Sequence, residues 1–557
     1  MDNYAIADNF SLLSKLMDIH GENSFKSKSY ATAAYTIEKL PAQLAELPAE
    51  KIAGIRGIGE AISKKIQEQL ATGQLSLLNE YLAQTPAGVV EMLHIKGLGP
   101  KKIATVWKEL EVENIGELLY ACNENRLLLY KGFGAKTQQN IKEAIEFYLS
   151  NQGSYLYAQI EAYATAFTGV LQKQFPQQAV LLCGDFRRQL EVITRLEWVT
   201  TVTPEALQDY LQQGGYTYIS TINQLSAFKG KENELLEFFH CTPSMLYQQL
   251  FSRSCSEAFL DAWTTRYPFT PADAFNSEEA IFEKAGLPYL PAYLRETPEA
   301  IDRAAATALP AVIQPEEITG IIHSHSKWSD GVNTIEEMAR AAMAKGLQFL
   351  VLSDHSRSAF YANGLTEERL LAQHEEIDTL NRQLAPFRIF KSIESDILND
   401  GSLDYPEEVL ERFDIIIASV HSNLKMNEEK AMMRLIKAIE NPYTSILGHM
   451  TGRLLLSRNG YPVNHEKIID ACAANKVAIE LNAHPRRLDM DWRWISRALE
   501  KNVLISINPD AHAIEGFDHT RYGVLAAQKA GLTKEQNLSS FSLEDFELFV
   551  QQQQAKR

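Results

Sequence analysis

No apolar run in the 557-residue sequence is long enough to cross a bilayer. The opening residues, MDNYAIADNFSLLSKL, lack the basic stretch and apolar core of a secretory leader. A cytoplasmic protein without membrane contact is the expectation. Cysteine is scarce: five residues, at 122, 183, 241, 255 and 472, with no C-x-x-C pair. Odd and scattered, they point to reduced thiols and exclude a disulfide framework. Positive charge is also short, at a formal net of −17, which excludes a broad, purely electrostatic coat on nucleic acid. The deficit is uneven, because residues 1–150 carry 16 Lys+Arg against 18 Asp+Glu and the remainder about −15. A local grip on a nucleic-acid backbone therefore stays open, and bound divalent cations would offset part of the acidic excess. The length calls for three or four domains.

Three segments of the first 150 residues share one pattern: IAGIRGIGEAISKKIQEQL (52–70), LHIKGLGPKKIATVWKEL (93–110) and LLYKGFGAKTQQNIKEAI (128–145). Each has an apolar lead-in, a G-x-G and an amphipathic helix. The glycine pairs Gly57/Gly59, Gly97/Gly99 and Gly132/Gly134 permit a hairpin with positive φ. The following helix N-terminus then offers free N–H groups to a phosphate. The pattern resembles the helix-hairpin-helix, which holds DNA backbones without reading sequence. A plain αα-hairpin is the alternative for any one copy. Lysines after two of the hairpins, among them Lys65, Lys101 and Lys102, favour DNA.

The stretch VLLCGDFRRQLEVITRLEWV (180–199), taken with the hairpins, resembles a bacterial family X DNA polymerase. That family has a strand, Gly-Ser, an aromatic, Arg-Arg, and then Asp-x-Asp to hold two magnesium ions. Here Gly184, Phe186, Arg187 and Arg188 match, but Asp185 replaces the serine, and Arg195 and Glu197 stand at the carboxylate positions. The third acid falls at Glu237. A guanidinium cannot ligate Mg²⁺, so the palm is expected to be degenerate and kept as a scaffold or DNA-docking surface. The first 80 residues look like the family's small lyase domain, and Lys65 falls where related domains carry a Schiff-base lysine. A surface lysine beside a hairpin is the simpler account.

After a linker at 307–320, apolar strands alternate with amphipathic helices: ITGIIHSH (318–325), LQFLVLSDH (347–355), RIFKSIE (388–394), FDIIIASVH (413–421), TSILGHM (444–450), VAIELN (477–482) and NVLISIN (502–508). Helical stretches at 334–346, 427–440 and 463–476 lie between them. Repeated strand–helix units predict a parallel sheet, most simply closed into a barrel. Ten of the thirteen histidines lie from His323 onward. His323 and His325, two apart on what reads as a strand, point to one face. They, His355, Glu394, His421 and His449 stand at or beside strand ends, and NPDAH adds Asp510 and His512 after the last strand. In an α/β barrel those ends converge on one face. Gathered there without a ligand, these groups with Asp330 would strand buried charge, whereas a metal cluster resolves it. His374, His465 and His519 read as ordinary rim histidines.

These nine residues are similar, in order, to the signatures of the polymerase and histidinol phosphatase (PHP) domain, as are WSDG, SDHS, ESDILNDGSLDY, ASVHS, GRLL and NPDAH. The resemblance implies a distorted seven-stranded β/α barrel with three divalent ions, manganese or zinc, alone or mixed with iron. One ion would take His323, His325, Glu394 and Asp510. A second would share Glu394 and add His421 and His449, and a third would take Asp330, His355 and His512. Cations so placed acidify water, so no protein nucleophile is required. Arg357 and Arg453 are candidate phosphate clamps or, equally, rim ion pairs.

The expected chain is thus multidomain: lyase-like helix-hairpin-helix (1–82), fingers-like helix-hairpin-helix (83–152), an α+β palm and thumb (153–306) and the barrel (316–557). Its partner would be DNA at ends, gaps or abasic sites, and a monomer is expected. The resemblance implies a 3′→5′ exonuclease, with 3′-end cleaning or cutting at abasic sites, in base-excision repair. The alternatives are a small-molecule phosphatase of the histidinol-phosphate kind and an active family X polymerase.

Overall fold

The computed structural model describes all residues except 2, 39, 41, 42, 151, 152, 232, 271, 272 and 307–310, so the expected linker at 307–320 lies partly outside the described residues. The chain divides into two compact units, Met1–Tyr148 and Leu149–Arg557. No helix among the described residues is long and apolar enough to cross a membrane, and all five cysteines are free thiols.

In the first unit the described residues form helices and turns, and the three G-x-G segments adopt one geometry. Gly57, Gly97 and Gly132 have φ of 92°, 87° and 96°, which an L side chain rarely adopts. The residue between each glycine pair is buried and its N–H closes the turn. Ile58 donates to the Ile55 carbonyl (2.9 Å), Leu98 to Ile95 (3.1 Å) and Phe133 to Tyr130 (3.1 Å). Gly59 and Gly99 are the N-caps of the helices Glu60–Thr72 and Pro100–Lys108. In the third copy, Thr137 and Gln138 N–H groups bond to the Gly134 carbonyl. An apolar residue nails each hairpin to the core while the next helix presents its N-terminus.

The second unit begins with a short antiparallel pair, β1 (Tyr155–Leu156) and β3 (Val192–Ile193). Beside it lies a five-stranded sheet in the order β2-β4-β7-β6-β5. Its strands are β2 (Val180–Cys183), β4 (Leu196–Thr200), β5 (Thr217–Ile222), β6 (Leu225–Lys229) and β7 (Leu235–His240). Four helices between Leu246 and Ala306 follow, packed around Phe251, Phe259, Trp263 and Phe282.

Seven more strands run wholly parallel and in sequence order: β8 (Gly320–Ile321), β9 (Phe349–Leu352), β10 (Arg388–Asp396), β11 (Ile415–Ser419), β12 (Ile446–Leu447), β13 (Ala478–Asn482) and β14 (Ile505–Asn508). β11 reads IIIAS and is buried along its length, as a parallel strand covered on both faces requires. The helix Ile335–Ala344 starts in a capping box. Thr334 accepts from the Glu337 N–H, and Glu337 accepts from the Thr334 N–H. β8 and β14 are the sheet's ends in the pairing order, yet the loops beyond them meet. The His325 N–H donates to the Ala511 carbonyl (2.8 Å), and Ser324 bridges Ala511 in parallel. That contact nearly closes the barrel.

The five-stranded sheet region and the barrel pack together through ionic contacts. Arg521 reaches Glu161 with both terminal nitrogens (2.6 and 2.5 Å). Buried Lys529 donates to the Arg188 carbonyl (2.6 Å) and to Glu296 (2.8 Å).

Candidate metal centre

The nine donors come from six places in the barrel. His323, His325 and Asp330 follow β8, His355 follows β9, and Glu394 lies within β10. His421 follows β11, His449 follows β12, and Asp510 and His512 follow β14. All nine side chains are almost completely buried, at most 5% exposed. One expectation is corrected here. β8 ends at Ile321, so His323 and His325 are not strand neighbours; His323 takes a left-handed φ of 66°, as Asp510 does at 51°. Non-glycine residues in this region cost energy and concentrate at functional sites. The turn still sends both imidazoles inward, with ring centroids 5.3 Å apart.

Glu394 is the hub. Its Oε1 lies 2.9 Å from His449 Nε2, 3.1 Å from His421 Nε2 and 3.2 Å from His323 Nε2. Its Oε2 lies 3.0 Å from His355 Nδ1 and 3.7 Å from His325 Nε2. Asp510 Oδ1 stands 3.1 Å from His325 Nε2 and 3.5 Å from His323 Nε2. Asp330 faces His512 Nε2 at 3.4 Å and His355 Nε2 at 3.6 Å. Ligand-capable atoms therefore gather as His323–His325–Asp510, as His355–Glu394–His421, and as His325–Asp330–His355–His512. The third set contains His325, which the resemblance assigns to the first ion.

The electrostatics follow from burying three carboxylates among six imidazoles. Burial opposes the charge of Glu394, but His421, His323 and His355 outweigh it and hold the carboxyl well below its ordinary range. Asp510 is held down likewise against burial, chiefly by His323 and His325, and Asp330 by His512 and His355. Burial lowers His325 to about 3, helped by His512 and His355, so it is a neutral ring. His323 is raised well above its ordinary value because Glu480, Asp510 and Glu394 overcome its burial, and His421 is raised to about 10 by Glu394 and Asp396. The acids demand positive charge, which the protein alone meets by protonating imidazoles.

The donors fit a cation better than they fit one another. His323 Nε2, His325 Nδ1, Asp330 Oδ2, Glu394 Oε2 and His449 Nδ1 are buried and meet no hydrogen-bond geometry, a costly state for polar atoms. Nitrogen and carboxylate donors without sulfur suit first-row divalent cations.

A second ring of groups, not singled out in the sequence, orients the first. Glu480 in β13 accepts from His323 Nδ1 (2.6 Å), the His449 N–H (3.1 Å), Asn482 (3.0 Å) and Asn508 (2.7 Å). Asp396 takes His421 Nδ1 at 2.5 Å. Each pairing fixes a ring so that its other nitrogen faces Glu394. The available signal for Glu480 was a lone acid within the strand VAIELN. A Glu480→Gln variant is expected to hold its cations 10- to 100-fold more weakly, about what losing such a partner costs. Metal retained against graded chelator, measured by mass spectrometry, checks this; unchanged retention contradicts it.

The two arginines divide. Arg453 is consumed by structure: Nε donates to the Arg487 carbonyl (3.0 Å), one terminal nitrogen pairs with Asp491 (2.7 Å) and the other meets the Leu488 carbonyl. Of the two roles left open for it, phosphate clamp or rim ion pair, these contacts are those of an ion pair. Arg357 is half exposed and pairs loosely with Glu367 (3.3 Å) and Asp404 (3.6 Å). His374 packs edge-on against Phe413, His465 stacks on Trp494, and His519 meets His484; none of the three belongs to the ligand groups above. In the five-stranded sheet, Glu197 and Glu237 sit side by side in the parallel β4–β7 pair. Arg195 lies 3.8 Å from Glu197 and 3.6 Å from Glu237.

Fold and site together define a class: helix-hairpin-helix repeats joined to a polymerase-type palm and a barrel with a buried histidine–carboxylate centre. Residues 1–75 match the helix-hairpin-helix domain model, and residues 89–146 match the SAM-like helix-hairpin-helix tandem. Over 96% of its length the chain is 32% identical to the DNA polymerase/3′-5′ exonuclease PolX of Bacillus subtilis strain 168, also covering 96% of that protein. The chain belongs to the bacterial PolX family of family X polymerases with a PHP domain. It is also 29% identical to a probable phosphatase of Thermoanaerobacter sp. strain X514, across 38% of this chain and 86% of that protein. A probable phosphatase of Caldanaerobacter subterraneus is 29% identical across 36% of this chain and 78% of its own length.

Proposed function

We propose that the protein is a metal-dependent phosphodiesterase that removes nucleotides from DNA 3′ ends, in base-excision repair, and that its palm does not polymerise. The observation that carries this reading is the convergence of five imidazoles on the two oxygens of one buried carboxylate, Glu394. Three divalent cations, manganese or zinc with or without iron, are assigned to the nine donors. Bound there, they supply Lewis-acid neutralisation of a phosphodiester and bring the pKa of water toward neutrality. The chain holds that charge in place: the Glu394 carboxylate faces five of the imidazoles, Glu480 and Asp396 fix His323 and His421, and the surrounding core excludes bulk water.

The DNA-binding part of the reading rests on the repeats. Gly57/Gly59, Gly97/Gly99 and Gly132/Gly134 shape hairpins whose helix N-termini suit phosphates, with Lys65, Lys101 and Lys102 close behind. The four-part division 1–82, 83–152, 153–306 and 316–557, a monomeric state and a cytoplasmic location complete the proposal. A second reading, a phosphatase for small molecules, draws on the relatives named probable phosphatases.

A direct comparison separates the two. The manganese-loaded protein is expected to shorten a 3′-labelled oligonucleotide with kcat/KM at least about 100-fold above that for p-nitrophenyl phosphate, because only the polymer engages phosphate contacts beyond the scissile group. The reverse ranking would favour the phosphatase.

A further inference from the structure

The segment after His355 carries an aromatic ring that the fold does not use. Phe360 is 87% exposed, whereas Ala359 and Ala362 on either side are fully buried. The turn that carries it is closed by hydrogen bonds: Leu365 N–H to the His355 carbonyl (2.9 Å), Gly364 N–H to Ala359 (3.1 Å) and Ala362 N–H to Ala359 (3.0 Å). A Cβ on Gly364 would lie 1.9 Å from the Ser356 carbonyl oxygen, so the turn is tight. Both ends are tied to the metal centre. At one end the Ser358 hydroxyl donates to Asp396 (2.9 Å), the carboxylate that orients His421, and its N–H donates to Asp404 (2.6 Å). At the other end Asn363 donates to the Trp328 and Ser329 carbonyls (3.3 and 3.4 Å), directly before Asp330. The turn thus spans the rim from the His421 side to the Asp330 side, and the ring at its tip faces solvent.

An exposed phenyl ring on an anchored turn is an expensive way to cover nothing. We infer that Phe360 is a specificity-determining residue: a nucleobase of the DNA end stacks on its ring while the neighbouring phosphate lies at the metal centre. The inference rests on the nuclease reading of that centre. Every base offers a π-face, so the contact requires a base without selecting which one.

The test uses the full-length manganese-loaded protein and its F360A, F360L and F360W variants. Two 3′-ended substrates are compared: oligothymidylate and the same oligomer ending in tetrahydrofuran abasic residues. F360A and F360L are expected to lose about 5- to 100-fold in kcat/KM on oligothymidylate, mostly through KM, the range base–aromatic stacking supplies. F360W should match wild type, and all four proteins should act alike on the abasic end. The position is exposed, so folding is not at issue. Wild-type behaviour of F360A or F360L on oligothymidylate overturns the stacking assignment and leaves the nuclease reading standing. A wild-type protein that shortens neither oligomer overturns both.

Discussion

Exchanging Glu394 for glutamine is expected to lower oligonucleotide hydrolysis by at least about 10³-fold while the barrel still folds. Glutamine keeps the shape and removes the charge. In the native centre both carboxylate oxygens face imidazoles, Oε1 those of His323, His421 and His449 and Oε2 those of His355 and His325. An amide offers one acceptor oxygen, and its NH₂ group would point at imidazole nitrogens meant for cations. The ligand group His355–Glu394–His421 loses its only anion. Lewis-acid stabilisation of a phosphoryl transition state is worth several kcal/mol, and each 1.36 kcal/mol is tenfold in rate. Rate, bound metal by mass spectrometry and far-ultraviolet circular dichroism should be measured on one preparation. Native ellipticity with depleted metal and lost activity is the expected combination; a rate near wild type would remove Glu394 from the chemistry.

The same variant makes the palm testable, because with hydrolysis silenced an extended primer would survive to be seen. No extension is expected with Mg²⁺ or Mn²⁺, primer–template and all four deoxynucleotides. The register of β4 and β7 sets Glu197 beside Glu237, where a cation would have to sit, and the Arg195 guanidinium is already there at 3.8 and 3.6 Å. An incoming ion at about 4 Å would meet repulsion between about 1 kcal/mol per unit charge in water and about 4 kcal/mol near a protein surface. Burial also raises the Glu197 carboxyl, with Arg195 opposing and Asp185 and Glu237 adding to the rise, which weakens it further as a ligand. Asp185 is paired to Arg188 at 2.6 Å. Extension by the E394Q protein would show that the guanidinium swings aside and that the palm is live.

Much of this was written in local patterns. Three copies of G-x-G announced three hairpins, because positive φ restricts the first glycine and the second caps a helix. Alternation of apolar strands with capped helices announced the parallel barrel, and every expected strand is present in order. Eight of the nine candidate donors were singled out because they stand at or just after such a strand, where a barrel concentrates chemistry; Asp330, in the loop well past β8, came from the resemblance. Glu480 and Asp396 were harder to see. The one local sign of Glu480 was an acid inside the strand VAIELN, and nothing local marked Asp396 or told which imidazole either acid would meet. The role of Arg453 stayed open between clamp and ion pair for a related reason: its partners Arg487, Leu488 and Asp491 are more than thirty residues away along the chain.

What the sequence by itself determined is the set of ligand types, their order and the strands that carry them, because side-chain chemistry and backbone periodicity are properties of short segments. Tertiary structure decided which donors meet. The contact between the loops after β8 and β14 brings His323 and His325 against Asp510 and His512. Tertiary contacts also set His323 in a left-handed bend rather than a strand, and they anchor the turn that carries Phe360 at Asp396 and at Trp328 and Ser329. Such outcomes depend on closure of a sheet across nearly two hundred residues, and no local pattern encodes a distance of that kind.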